Sequence, residues 1–178
     1  MTLRLTLIAH APTEATRKHR FPLDEPADAP SAITLDARAD VLTSAALRCR
    51  QTAEAAGTPA TVEHRLDDWD LGDWAGRSLS DLAPDAVRPW LADPGAAPHG
   101  GESLAALLIR VGGLLTELST RDGVLAAFTH PAVLRAATVH VLDATLAAFW
   151  RIDVEPLARL SLTAAAGRWN LRLLPGPT

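Results

Sequence analysis

Short apolar runs alternate with helical segments along this chain, and the alternation restricts the folds open to it. The predicted strands are Leu3–Ile8, Asp40–Thr43, Thr61–Arg65 and Val124–Phe128, and the predicted helices are Ala45–Ala56, Glu102–Ser119 and Pro131–Leu142. Strands that alternate with helices form a mostly parallel sheet with helices on both faces. The sequence therefore predicts a three-layer, doubly wound α/β fold, with residues 1–178 as a single domain.

The C-terminal part predicts further strands, and two long segments separate the regular elements. The additional strands are Phe149–Val154, Leu160–Ala164 and Trp169–Leu174. Gly167 is expected to turn the last two into a hairpin. Thr13–Ser31 is polar and proline-rich, which predicts a long loop. Leu66–Pro98 predicts a loop with one or two short helices.

Charge and hydropathy exclude several classes of partner. The 178 residues carry a formal net charge of −4 at pH 7, so the chain offers no broad basic surface for nucleic acid. No apolar run approaches the ~18 residues of a membrane span, and Arg4 interrupts the apolar N-terminus, which therefore lacks the layout of a signal peptide. We expect a cytoplasmic protein without a nucleic-acid or membrane partner. No sequence feature indicates its oligomeric state.

The sequence also argues against a metal or dinucleotide site. Cys49 is the single cysteine and has no zinc-type neighbours. Four histidines outside the candidate site form no ligand pair and are expected to be exposed or half-buried; they are His19, His64, His99 and His140. A dinucleotide-binding domain is disfavoured because no Gly-x-Gly-x-x-Gly follows the first strand.

Two histidines directly follow predicted strands, and parallel strands present their carboxyl ends at one edge of the sheet. These are His10 and His130. Arg48 lies near the start of the Ala45–Ala56 helix, and a cluster of carboxylates follows at Asp67, Asp68, Asp70 and Asp73. Taken singly, the two histidines are typical of structural residues, Arg48 of a surface cation, and the carboxylates of a solvated loop. Together, two imidazoles, a guanidinium and carboxylates suit phosphoryl transfer, which needs a nucleophile, a charge clamp and a proton donor.

Five short segments follow one another in a distinctive order. They are Leu7–Thr13 (LIAHAPT), Ser44–Ala53 (SAALRCRQTA), Leu66–Gly76 (LDDWDLGDWAG), Gly100–Ser103 (GGES) and Phe128–His130 (FTH). In this order they resemble the histidine phosphatases, the family that includes the cofactor-dependent phosphoglycerate mutases. The layout is most similar to the α-ribazole phosphatase branch, and the resemblance covers nearly the whole chain.

The resemblance implies a role for each matching residue. His10 would be the nucleophile that forms a phosphohistidine, Arg48 would clamp phosphate oxygens, and His130 would donate hydrogen bonds to the same oxygens. Asp68 stands where the family usually has the glutamate that protonates the leaving oxygen, and its side chain is one methylene shorter. The resemblance implies neither a metal nor a cofactor. The run from Arg77 to His99 is expected to cover the leaving group.

The sequence departs from the family at Ala9, because the family has an arginine immediately before the nucleophile. Loss of one preorganised donor to a transition-state anion costs about 10²–10³ in rate. Arg17 or Arg20, from the loop after His10, is expected to approach the pocket and replace that charge. Thr13 and Thr16 could add hydroxyl donors, although Thr16 stands where the mutases commonly have an asparagine.

Two functions remain open from the sequence. The first is a phosphomonoester hydrolase that acts through His10 on a small phosphorylated metabolite. One interpretation of Ala9 is that this metabolite carries less phosphate charge. The second is a protein on the same fold that binds a phosphorylated ligand without turnover, and Ala9 is the residue that separates the two.

Overall fold

A computed structural model describes residues 2–30 and 32–173 of the chain. Among these residues the strands are β1 (Thr2–Ala9), β2 (Asp40–Thr43), β3 (Thr61–Val62), β4 (Gly123–Thr129), β5 (Arg159–Ala165) and β6 (Arg168–Arg172). The α-helices are α1 (Glu14–Arg17), α2 (Leu47–Glu54), α3 (Pro84–Ala92), α4 (Leu104–Leu118) and α5 (Pro131–Val141). Short 3-10 helices lie at His64–Leu66, Gly72–Trp74, Leu79–Asp81 and Leu146–Arg151.

The strands form one six-stranded sheet in the order β3-β2-β4-β1-β5-β6. The four strands from β3 to β1 run parallel, whereas β5 and β6 pair antiparallel at the other edge. Successive β1 residues point to opposite faces of the sheet. Leu7 packs on one face with Leu107 of α4 and Val133 of α5. Ile8 packs on the other face with Ala53 of α2. The predicted α/β sheet with helices on both faces is therefore confirmed.

Helix α4 runs without a break through Gly112 and Gly113. Ser103 caps its start, because the Ser103 hydroxyl accepts from the backbone N–H of Ala106 at 3.2 Å. A Cβ atom at Gly112 would lie 2.9 Å from Nδ1 of His140. Glycine at this position therefore lets α4 and α5 pack closely.

Two predicted strands differ from the structure. Phe149–Val154 was predicted as a strand, which is wrong, because Leu146–Arg151 is a 3-10 helix. In a strand Phe149 and Trp150 would point in opposite directions. Their ring centroids instead lie 5.2 Å apart, so both rings join one aromatic cluster.

The third strand ends at Val62, short of the predicted Arg65, because the Glu63 side chain caps a 3-10 turn. The hairpin around Gly167 is confirmed by the pairing of Ala165 with Arg168. Ser31 and Leu174, the last residues of two predicted segments, lie outside the described residues. Within the described part of the chain, no helix is both long and apolar enough to cross a membrane.

Candidate active site

The two histidines lie at the carboxyl ends of neighbouring parallel strands. Ala9 at the end of β1 is paired with Thr129 at the end of β4, and His10 and His130 are the next residues. Their ring centroids are 5.3 Å apart. The two residues are only 3% and 0% exposed. The sheet thus brings together the two imidazoles that the sequence placed at one edge.

The His10 imidazole is neutral at ordinary pH. Burial, and then the nearby His130 and Arg48, lower the pKa of His10 to about 4. Its Nδ1 lies 2.7 Å from the carbonyl oxygen of Ala11. Because a carbonyl oxygen only accepts, Nδ1 carries the hydrogen and Nε2 keeps its lone pair. The ring therefore has the protonation that a nucleophile at Nε2 needs.

Arg48 is a buried cation on α2 that is only 4% exposed. One terminal nitrogen donates to the Asp68 carboxylate at 2.7 Å, and the other donates to the carbonyl of Leu23 at 2.8 Å. Its Nε atom is buried and has no hydrogen-bond partner among the described residues. Since buried polar atoms are normally paired, this Nε is the donor of Arg48 that is not committed to a partner in the described part of the free protein.

Asp68 links Arg48 to the histidine pair. Its Oδ2 atom also lies 3.3 Å from Nδ1 of His130. Burial alone would raise the pKa of the Asp68 carboxyl, but His130 and Arg48 outweigh burial and hold that pKa well below its usual range. Asp68 is therefore an anion in the free protein, and it can donate a proton only after these contacts change.

The segment that carries Asp68 is fastened by Arg110 of α4. Arg110 donates to the backbone carbonyls of Asp67 and Asp68 at 2.9 and 3.2 Å. It also pairs with both carboxylate oxygens of Glu102 at 2.9 and 2.7 Å. A Cβ atom at Gly101 would clash with the carbonyl oxygen of Asp70. The GGES segment therefore positions the Asp68 segment as well as beginning α4, and no motif in the sequence indicated the partner Arg110.

His130 contacts two residues that the sequence did not single out as site residues. Its Nε2 lies 2.9 Å from the Ser44 hydroxyl, which itself donates to Asp67 at 2.8 Å. The Cys49 sulfur lies 3.4 Å from the same Nε2. Burial raises the pKa of the Cys49 thiol far above its ordinary value, so Cys49 packs as a neutral thiol. Ser44 and Cys49 therefore orient the His130 ring.

A cavity of about 220 Å³ opens beside His10 and Asp68. Most of its wall is apolar or aromatic, formed by Phe21, Trp69, Leu71, Trp90, Pro131, Ala132 and Trp150. Trp90 belongs to α3, inside the run that the sequence predicts as a cover over the leaving group. Arg20 and Arg135 are the arginines of the described chain that line this cavity, whereas Arg48 borders a neighbouring depression that Asp68 also lines.

Some of the remaining residues predicted from the sequence line the cavity, and others do not. Arg20 and Thr16 line the cavity. Arg17 does not line it; its exposed guanidinium pairs with Asp28. Thr13 is buried, and its hydroxyl accepts from the backbone N–H of Thr16 at 3.2 Å as the cap of α1. Of the two arginines expected to approach the pocket, only Arg20 therefore does so.

Two other features complete the surroundings of the site. Ala9 is fully buried and belongs to the same apolar cluster as Trp69 and Phe149. His99 was expected to be exposed or half-buried, which is wrong, because it is 1% exposed and contacts the rings of Trp69 and Trp74. Within residues 2–30 and 32–173, no three His, Cys, Asp or Glu side chains are grouped so that they could hold a metal ion.

Comparison with known proteins identifies relatives. A family model described as the histidine phosphatase superfamily (branch 1) matches residues 5–175. Phosphoserine phosphatase 1 of Hydrogenobacter thermophilus is 30% identical over 115 residues, which are 61% of this chain and 54% of that enzyme. Glucosyl-3-phosphoglycerate phosphatase of Mycolicibacterium vanbaalenii is 38% identical over 69 residues, which are 37% of this chain and 31% of that enzyme. The chain thus aligns with about half of the first relative and about a third of the second.

The fold also has close structural counterparts. The solved structure of the α-ribazole phosphatase from Shigella flexneri superposes with a TM-score of 0.81 at 23% identity. The superposition covers 96% of this chain and 95% of that one. The two proteins therefore share their fold over nearly their whole length.

Proposed function

Because the chain belongs to the histidine phosphatase superfamily (branch 1), we propose that it hydrolyses a small phosphomonoester through a phosphohistidine at His10. One observation carries the proposal. The buried, neutral His10 ring has its Nδ1 hydrogen bonded to Ala11 and opens into a cavity beside His130. A neutral imidazole can attack phosphorus without first losing a proton.

In the first step, Nε2 of His10 attacks the phosphorus atom, and the bond from phosphorus to the ester oxygen breaks. Arg48 and His130 bind the equatorial oxygens, on which negative charge is spread during transfer. The unpartnered Nε of Arg48 adds a donor that forms no other contact in the described chain. Arg20, an exposed residue of the cavity lining, supplies part of the charge that Ala9 lacks.

Asp68 provides the proton for the leaving oxygen once substrate is bound. The arriving phosphate dianion draws Arg48 and His130 toward its own oxygens and places negative charge beside the carboxylate. Both changes raise the pKa of Asp68, so it can bind a proton. In the second step, the deprotonated Asp68 accepts a proton from water, the water oxygen attacks phosphorus, and the N–P bond breaks to release phosphate and His10.

A second candidate function is the binding of a phosphorylated ligand without turnover. Ala9 is the observation that favours it, because Ala9 offers no charge to the phosphoryl group. In addition, Asp68 already neutralises Arg48 at 2.7 Å in the free protein. A binding protein would retain Arg48 and His130 as ligands of the anion. It would not need His10 to be neutral with a lone pair on Nε2.

Steady-state hydrolysis of p-nitrophenyl phosphate tests the proposal. The wild-type protein is expected to hydrolyse this ester, and His10→Asn is expected to lower kcat at least about 10³-fold. His19→Asn is the matched control, because His19 is exposed and lies outside the cavity lining. The hydrolase proposal fails if His10→Asn retains wild-type kcat. Binding of inorganic phosphate without any hydrolysis by the wild-type protein would support the second candidate.

A further inference from the structure

Arg135 is a cation in the cavity wall that forms no ion pair with a carboxylate of residues 2–30 or 32–173. Its Nε donates to the carbonyl of Ile152 at 2.8 Å, and its guanidinium carbon lies 5.8 Å from the centre of the Phe149 ring. The two terminal nitrogens form no hydrogen bond or ion pair within the described chain. Asp153 acts on Arg135 electrostatically without forming an ion pair with it.

The environment of Arg135 favours the binding of an anion. Arg135 is half-buried, and burial lowers the pKa of its guanidinium below the ordinary value. A guanidinium in a partly apolar site gains more from an anion than one in water does, because the local dielectric constant is lower. An incoming anionic group would therefore be bound strongly at the two free nitrogens.

The position of Arg135 indicates which part of a substrate it meets. Helix α5 starts directly after His130 and faces the cavity through Pro131, Ala132 and Arg135. At about 1.5 Å per residue, the Cα atom of Arg135 lies about 7.5 Å along the helix axis from that of His130. The contacts with Phe149 and Ile152 hold its guanidinium in place. Because Arg135 lies more than one helical turn beyond His130, the leaving group is the part of a substrate assigned to it.

Other residues of the cavity wall also fit a ligand. The rings of Trp90 and Trp150 line the cavity, with their centroids 4.7 Å apart. The indole N–H of Trp90 is buried and has no hydrogen-bond partner among the described residues. Unpaired buried donors are rare in native proteins, and this N–H is a second donor of a cavity-lining residue that is not committed to a partner within the described chain.

We infer that Arg135 binds a second anionic group, such as a carboxylate, carried by the leaving alcohol of the substrate. The inference rests on the phosphatase function proposed above and narrows its substrate to phosphomonoesters with a compact apolar or aromatic body and a further negative charge. The aromatic wall packs against that body, and the two free nitrogens of Arg135 match the two oxygens of a carboxylate.

A pair of substrates that differ only in this anion tests the inference. Phenyl phosphate is compared with 3- and 4-carboxyphenyl phosphate, using wild-type protein, Arg135→Met, Arg135→Gln and Arg151→Met. Arg151 is exposed and lies outside the cavity lining, so it controls for loss of one positive charge. We expect the wild type and Arg151→Met to prefer one of the carboxylated esters by at least about 10-fold in kcat/KM. Both Arg135 variants should lose this preference and retain activity on phenyl phosphate within about 3-fold.

The inference is overturned if the wild type shows no preference, or if the Arg135 variants lower kcat/KM equally for both kinds of ester. The second result would mean that Arg135 acts on the phosphoryl group. Melting temperatures of both Arg135 variants show whether each is folded. If the wild type hydrolyses neither ester, the hydrolase proposal has failed separately. The inference is then tested by calorimetric titration with benzylphosphonate and 4-(phosphonomethyl)benzoate, where equal affinities would contradict it.

Discussion

The guanidinium of Arg48 donates to the Asp68 carboxylate over 2.7 Å, so the principal buried cation of the site is already neutralised in the free protein. The same carboxylate oxygen lies 3.3 Å from His130. A phosphate ligand must therefore compete with Asp68 for both partners. This competition allows binding and turnover to respond in opposite directions to one substitution.

Asp68→Asn should bind phosphate more tightly while it hydrolyses esters more slowly. The amide removes the negative charge that competes for Arg48, so Kd for inorganic phosphate should fall about 10-fold. The amide cannot supply the leaving-group proton, so kcat should fall about 10²–10⁴-fold. Calorimetry and steady-state kinetics measure the two effects. Asp73→Asn, an exposed member of the same acidic cluster, is the control, and weaker phosphate binding by Asp68→Asn would contradict the account.

Ala9→Arg should increase hydrolysis of p-nitrophenyl phosphate by about 10²-fold in kcat/KM, because it returns a charged donor to the residue before His10. Ala9→Met is the control for added volume, since Ala9 is fully buried in the apolar cluster. Circular dichroism establishes that both variants fold. An equal gain with methionine, or no gain in a folded Ala9→Arg protein, would mean that the absence of a charge at residue 9 does not limit hydrolysis.

The lowered pKa of His10 makes folding stability depend on pH. Between pH 6.5 and about pH 4, the unfolded chain binds a proton at His10 that the folded protein excludes, because burial and His130 keep the ring neutral. Stability should therefore fall as pH falls through this window. Urea unfolding at pH 7 and pH 4.5 should show that wild type loses about 2 kcal/mol more than His10→Gln. Equal losses would mean that His10 titrates normally in the folded state.

Arg110→Met should destabilise the protein by about 2 kcal/mol, because it leaves the Glu102 carboxylate and the carbonyls of Asp67 and Asp68 without their donor. Arg110 and Glu102 are 22% and 16% exposed, so water compensates part of the loss. Urea midpoints provide the measurement. Arg121 is an exposed arginine just after α4, so Arg121→Met should shift the urea midpoint little. Equal shifts for the two variants would contradict a stabilising role of the Arg110 contacts.

The placement of His10 and His130 could be predicted from the sequence, because that placement depends on topology alone. Each follows a parallel strand, and such strands end at one edge. Arg135 was missed because its face on α5 depends on how that helix packs against the sheet. Arg17 and Arg20 occupy one loop in sequence, and only the fold of the loop decides that Arg20 lines the cavity while Arg17 pairs with Asp28.

The Phe149 segment shows that hydrophobic alternation alone does not distinguish a strand from a 3-10 helix. Its apolar residues fit a strand pattern, but Phe149 and Trp150 both pack against the ring of Trp69, and a 3-10 helix allows this. The ion pair of Asp68 with Arg48 could also not be predicted from the sequence. The motifs indicate that both residues belong to the site, whereas their contact depends on the path of the segment that Arg110 holds.

A phosphoryl group on His10 is the most direct test of the proposed mechanism. The protein is mixed with p-nitrophenyl phosphate, quenched in base within one turnover, and analysed by intact mass and peptide mapping. We predict the added mass of one phosphoryl group, stable in base and labile in acid, on the peptide that contains His10, and no such label in His10→Asn. Hydrolysis without a label on His10, or the same label in His10→Asn, would contradict a phosphohistidine at this residue.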